Sequence, residues 1–270
     1  MKNLFCVKDR VIVITGATGI LGRAMVRHFA EEGAHVVILG RNREIGGKLE
    51  DEVTKAGHSA LFLVTNVLDK SLLEENYTEI MEKFGKVDVL INAAGGIMPG
   101  ATIAPDKTLF DLDTDAVRQV VDLNLFGTIL PTLVFARAMV NQKQGSIINI
   151  ASEAGLRPLT RVAGYGVSKA AVINFTQYMC GELATKFGPG LRVNAIAPGF
   201  FLTEQNRSLL THPDGSLTAR AETILAHTPF KRFGEPEELL GTLQWLASDA
   251  SKFVSGTLTV VDGGFNAFSI

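Results

Sequence analysis

The chain has 270 residues, a formal net charge of −2, 46% hydrophobic and 20% charged residues, the balance of one well-packed domain spanning 1–270. No basic block invites nucleic acid, the start MKNLFCVKDR lacks a signal peptide's apolar core, and no uninterrupted apolar run reaches the ~18 residues of a membrane span. Cys6 and Cys180 form neither a CxxC pair nor a metal spacing, so a reducing, cytoplasmic setting without a metal site is expected.

VIVIT (11–15) predicts a first strand, and residues 20–30 predict a helix with Met25, Val26 and Phe29 on one face. HVVIL (35–39) and ALFLV (60–64) predict the second and third strands, with a charged helical stretch at 43–56 between them. A helix at 71–84 ends before Gly85, VDVLIN (87–92) is a fourth strand, and 114–140 reads as one long helix. GSIINIAS (145–152), LRVNAIA (191–197) and LTVVDGG (258–264) complete the strands, with helices at 163–187 and, opened by Pro236, at 236–248. Alternation of Val/Ile/Leu-rich strands with helices predicts an α/β fold, a parallel sheet covered on both faces. Such a sheet binds ligands beyond the carboxyl ends of its strands. The exits here read TGATG, GRN, TNV, NAAGG, ASEAG, APGFF and DGG, a series that predicts a dinucleotide site.

The first exit, TGATGILGR (15–23), stands between a strand and a helix, the context a phosphate-binding turn needs. Gly16 and Gly19 keep the turn small, and Gly22 lets the helix approach the strand. Thr18, Ile20 and Leu21 complete it, with the Ile20 side chain expected to turn away from a pyrophosphate and its N–H to face it. The plain alternative is a tight strand–helix turn with no ligand.

Tyr165 and Lys169 lie at i and i+4 on one helical face. A free phenol has a pKa of about 10, too high for acid–base work at neutral pH. A neighbouring ammonium favours the phenolate, so Lys169 is expected to lower the Tyr165 value. Ser152, thirteen positions earlier, ends a strand and offers a hydroxyl to hold a reacting oxygen. Asn124 is disfavoured inside a helix; it either caps a buried kink or anchors a water in a proton relay.

These residues resemble the short-chain dehydrogenases/reductases along essentially the whole chain: TG…G, NAAG (92–95), Asn124, Ser152, Tyr165-xxx-Lys169, PGFFLT (198–203) and VDGG (261–264) occur in that family's order. The resemblance implies a doubly wound, Rossmann-type sheet of seven strands in the order 3-2-1-4-5-6-7 and a nicotinamide cofactor. It also implies a catalytic tetrad in which Tyr165 is the acid/base and Lys169 holds the nicotinamide ribose. In that tetrad Ser152 orients the carbonyl and Asn124 holds the relay water. Asn92, Ala93, Ala94 and Gly95 would support the cofactor, and Pro198, Gly199, Phe201 and Thr203 would frame the nicotinamide. Ile20 replaces the family's middle glycine. Asn66, followed by Val67, stands where an Asp is usual; its amide still offers adenine a donor and an acceptor.

Further stretches, NAAGGIMPGATI (92–103), RPLTRVAGYGVSKAAVINFTQ (157–177) and NAIAPGFFLTEQNR (194–207), are similar to sugar-acid members of the family, D-mannonate oxidoreductases or fructuronate reductases. After the second strand, Gly40-Arg41-Asn42 lacks the acidic residue that would bond the ribose of NAD, and Arg41 suits the extra phosphate of NADP, so NADP(H) is favoured over NAD(H). A hexonate carboxylate calls for a cation or amide, for which Arg157, Arg161, Gln205 and Arg207 are candidates, each otherwise an ordinary surface residue. The long segment 199–234 is the natural lid. Other keto-aldonates such as 5-ketogluconate, non-sugar ketones and a non-catalytic regulator remain as alternatives. The family analogy implies a homotetramer.

Overall fold

Strand residues of β1 (Val11–Thr15) alternate between two apolar layers: Ile12 and Ile14 enter one, Val11 and Val13 the other. The same alternation runs through β2 (His35–Gly40), which is why these strands are apolar throughout. The computed structural model describes residues 3–202, 207 and 209–267. With β3 (Ser59–Val64), β4 (Val89–Asn92), β5 (Gly145–Ile150), β6 (Leu191–Pro198) and β7 (Leu258–Val261), the strands form one sheet in the order β3-β2-β1-β4-β5-β6-β7. Every pairing is parallel.

Helices α1 (Ile20–Glu31) and α2 (Arg43–Lys55) cover one face of the sheet. The other face carries α3 (Lys70–Phe84), α5 (Gly127–Gln142) and α6 (Ala163–Phe187). The start signals are local: Asn42 and Asp69 accept hydrogen bonds from Ile45 and Leu72 backbone amides, capping α2 and α3, and Gly85 ends α3 at φ 70°. The stretch read as one helix at 114–140 is α4 (Thr114–Val121) joined to α5 through a π turn, Asp122–Phe126. By length and hydropathy, Thr114–Gln142 is long and apolar enough to cross a membrane, but 56% of its most apolar window is buried inside this fold.

A second departure from the sequence reading lies at the end of the chain. The helix expected at 236–248 divides into a 3-10 turn, Pro236–Leu239, and a short helix, Leu240–Ala247, which packs beside α1. The last strand stops at Val261, and its four residues are only half-buried, as befits an edge strand.

A polar ladder crosses the middle of the sheet. Asn92 and Asn149 are register partners on β4 and β5. Asn92 Nδ2 donates to Asn149 Oδ1 and to Thr132 Oγ1, both at 2.9 Å, and Asn149 Nδ2 donates to Thr176 Oγ1 at 2.9 Å. The ladder thereby ties α5 and α6 to the sheet.

Candidate active site

Ser152 leaves the end of β5 and opens a 3-10 turn, Glu153–Gly155, with its hydroxyl accepting from the Ala154 amide at 3.2 Å. This turn lies directly on the start of α6. A Cβ placed at Gly155 would stand 2.7 Å from the Lys169 carbonyl carbon, and one at Gly166 would stand 2.9 Å from the Ala154 carbonyl oxygen. Two glycines therefore bring the Ser152 hydroxyl into hydrogen-bonding contact with Tyr165. Tyr165, like Met98 and Val117, packs against a buried cluster of Ala101, Ala116 and Val120.

Lys169 is buried, donating from Nζ to the Ile150 carbonyl at 2.7 Å, with Nζ 5.7 Å from the Tyr165 ring centre. Burial pushes its ammonium down to about 8. Burial also raises the Tyr165 phenol above its ordinary value, against the hydrogen bond from Ser152. The sequence predicts a phenol lowered by Lys169; in the structure desolvation sets the direction instead, and it is the Ser152 hydrogen bond that opposes it.

Asn124 sits fully buried in the π turn. Its Oδ1 accepts from the Gly96 amide at 3.0 Å, and Nδ2 donates to the carbonyls of Gly96 and Val120, each at 2.8 Å. Both side-chain groups thus hold the β4 exit against the helix, the kink-capping alternative. Gly95 passes so close that a Cβ there would meet Asn124 Oδ1 at 2.6 Å and Lys169 Nζ at 3.2 Å.

At the first exit Gly16 adopts φ 66°, and a Cβ on it would stand 2.7 Å from the Ala93 carbonyl oxygen. Ala93 and Ala94 donate their amides to Thr15 Oγ1, both at 3.1 Å, a link that no spacing in the sequence announces. Gly22 packs on Gly16 and Ala17, while Ile20 faces a groove shared with Pro236 and Leu240. At the second exit, Thr18 lies against Gly40, Asn42 is occupied as the α2 cap, and Arg41 is exposed. Asn66 is exposed and spends its Oδ1 on the Leu68 amide at 3.1 Å; Val67 is buried against Gly127.

At the β6 exit, Pro198 ends the strand and Gly199 donates to the Val261 carbonyl at 2.9 Å. The Phe201 ring turns into the core and packs on Gly234. Within 199–234 the structure places α7 (Ala219–His227). Thr203 and Gln205 lie outside the described residues. Arg207 is exposed. Arg157 is engaged elsewhere, donating from Nε to Asn266 Oδ1 at 2.7 Å near the end of the chain. Arg161 remains near Tyr165, its Nε donating to the Ile103 carbonyl at 2.6 Å.

The sequence reading missed two charged residues here. Glu153 is 1% exposed with neither carboxylate oxygen hydrogen-bonded; burial, with Asp262 nearby and Arg157 opposing, pushes it up to about 7. Arg220, on α7, donates to Thr160. Neither stands in a spacing motif; only the packed fold shows what surrounds it.

The short chain dehydrogenase family model matches residues 10–214. The chain belongs to the short-chain dehydrogenase family. It is 43% identical over 269 residues to the uncharacterized oxidoreductase UxuB of Bacillus subtilis, covering 96% of each chain. Among solved structures, a proposed D-mannonate oxidoreductase of Haemophilus influenzae with bound NAD is 40% identical, with a TM-score of 0.91 over 99% of both chains. A gluconate 5-dehydrogenase of Burkholderia cenocepacia in complex with NADP and tartrate is 32% identical, with a TM-score of 0.88 over 98% of both.

This short-chain dehydrogenase is accordingly an NAD(P)-dependent oxidoreductase. Its strand exits fit the dinucleotide. Gly16 and Gly95 leave floor where any side chain would collide with backbone, Asn124 or Lys169. No side chain caps α1, so its first amides are free to meet an anion.

Proposed function

We propose that this dehydrogenase interconverts a ketone and a secondary alcohol on a sugar acid, with D-fructuronate and D-mannonate as the pair. The observation that carries the chemistry is the Ser152–Tyr165–Lys169 group at the β5 exit, with Ser152 and Lys169 buried and Tyr165 half-buried. The relatives named for mannonate and gluconate, one of them holding tartrate, support the substrate class. When bound, the nicotinamide supplies or accepts the hydride. Tyr165, which holds its proton firmly, donates it to the ketone oxygen. Ser152 positions that oxygen, and Lys169 holds the ribose. Asn124, whose side chain is committed to Gly96 and Val120, keeps the β4 exit in place.

In this reading the cofactor lies along Gly16, Thr18, Gly19, Ile20, Leu21 and Gly22. It continues past Asn66 and Val67, Asn92 to Gly95, and Pro198, Gly199 and Thr203, with Phe201, whose ring is turned into the core, offering its backbone alone. Arg41, exposed beside the β2 exit, favours NADP(H). Comparing kcat/KM for NADPH and NADH in wild type and Arg41→Ala checks this: the NADPH preference should fall roughly 10-fold or more, and an unchanged ratio rejects the role. Segment 199–234 closes over the substrate, the chain forms one catalytic domain, and the enzyme works in the cytoplasm as a homotetramer.

The deciding experiment follows nicotinamide oxidation at 340 nm over a panel of keto acids and keto sugars. Fructuronate should lead the panel. Tyr165→Phe should lower turnover by at least roughly 10²-fold while cofactor binding persists. Cofactor binding without turnover on any member would favour a non-catalytic regulator, and a leading 5-ketogluconate or non-sugar ketone would reassign the substrate.

A further inference from the structure

Two arginines, Arg161 on the loop before Tyr165 and Arg220 on α7, stand near each other, and among the described residues no acid neutralises them. Arg161 lies between Ser152 and Tyr165, and its backbone carbonyl accepts from the Ile103 amide at 2.9 Å while Nε returns a bond to the Ile103 carbonyl. Arg220, at the start of α7, donates from Nη1 to Thr160 Oγ1 at 2.8 Å and from Nη2 to the Thr160 carbonyl at 3.2 Å. Burial, then the charge of nearby Arg161, weakens the hold of Arg220 on its proton. Among the described residues neither forms an ion pair, whereas Arg10, Arg27, Arg118, Arg137 and Arg232 each meet a carboxylate.

Arg161 also has φ 77°, left-handed backbone that a glycine would occupy without strain. The chain keeps a long cationic side chain at a position that disfavours any side chain. Retained strain and unneutralised like charges, both partly desolvated, are what an anion site looks like before its anion arrives. The pair is tied to the chemistry through Ile103, which lies two residues after Ala101, a member of the buried cluster on which Tyr165 packs. A hexonate reduced at a carbon remote from its carboxylate needs an anchor several carbons from the phenol, not beside it.

We propose that Arg161 and Arg220 together bind the substrate carboxylate, so that the acid fastens α7, already hydrogen-bonded to Thr160, against the loop that follows Ser152. This inference rests on the sugar-acid reading and gives it a site. Guanidinium groups from two segments present several N–H donors to one carboxylate, the arrangement arginine serves best.

The test compares a keto-hexonate with a neutral ketose of the same length. Steady-state kcat/KM is measured for both in wild type, Arg220→Gln and Arg161→Gln. Thermal stabilisation by D-mannonate in the presence of oxidised cofactor is read separately. Arg220→Gln leaves the Arg161–Ile103 contacts untouched but gives up the bonds to Thr160, so the ratio of acid to neutral substrate, which a general loss of packing would not move, is the deciding readout. The acid-over-neutral ratio should drop roughly 10- to 100-fold, mostly through KM, and the mannonate-induced shift should disappear. A wild-type enzyme indifferent to the carboxylate would overturn both the sugar-acid reading and this site. A wild-type preference that survives both substitutions would overturn this site alone.

Discussion

Glu153 makes the folded state sensitive to pH. Its carboxyl sits at about 7 in the fold against an ordinary 4.5, so between those values the folded chain keeps a proton that the unfolded chain releases. Stability therefore falls as pH rises from about 4.5 to 7, and a cost on the order of 3 kcal/mol is complete above 7. Glu153→Gln should raise the melting temperature at pH 8 by several degrees and leave it unchanged at pH 4; equal shifts at both pH values would mean that the gain is packing, not charge. Tyr165 carries the pH dependence of the chemistry rather than of stability. Because burial holds its proton on, ketone reduction is favoured at neutral pH, and oxidation of the alcohol should accelerate as pH rises toward 9, which paired pH profiles would check. Tyr165, Lys169 and Ser152 were legible in the sequence because covalent spacing on one helix and one strand end fixes their relation. Glu153 and Arg220 were not, since their meaning lies in neighbours contributed by distant segments.

At the scale of elements, two contacts set the site. The Glu153–Gly155 turn reaches α6 only because Gly155 and Gly166 lack side chains. Gly155→Ala should lower kcat at least roughly 10-fold by lifting Ser152 away from Tyr165, with circular dichroism unchanged; full activity would show that the turn relaxes freely. The π turn is the other contact. Asn124→Ala would strand the Gly96 amide and carbonyl and the Val120 carbonyl, costing about 2–4 kcal/mol in chemical denaturation. Helix existence and strand existence were readable from apolar periodicity. The π turn was not: it shifts the phase of the helical face by one residue without interrupting the apolar run on either side, and only the misplaced Asn124 hinted at it. The split of 236–248 escaped for a similar reason, because Pro236 opens a 3-10 and an α turn equally well.

For the whole molecule, strand order followed from the sequence resemblance, but assembly depends on surface. Val167 and Tyr178 on α6 are 67% and 64% exposed, three helical turns apart on one face, beside exposed Phe126 and Leu133 on the neighbouring rod. A monomer would leave these in water. Light scattering on the purified protein should give the mass of four chains, and Val167→Glu with Tyr178→Glu should reduce it; a wild-type monomer would refute the assembly.

The Asn92–Asn149 ladder has a consequence for how the chain reaches this arrangement. A parallel sheet of near-uniform Val and Ile has little to distinguish one alignment of neighbouring strands from the next. If β4 slid by one residue against β5, Asn92 would face Ile148 or Ile150, and its amide would be left unpaired among hydrocarbon. Thr132 and Thr176 extend that penalty to α5 and α6. Misaligned intermediates are thus selected against before the molecule closes, and the centre of the sheet acts as the gauge by which the strand exits come to lie level with one another.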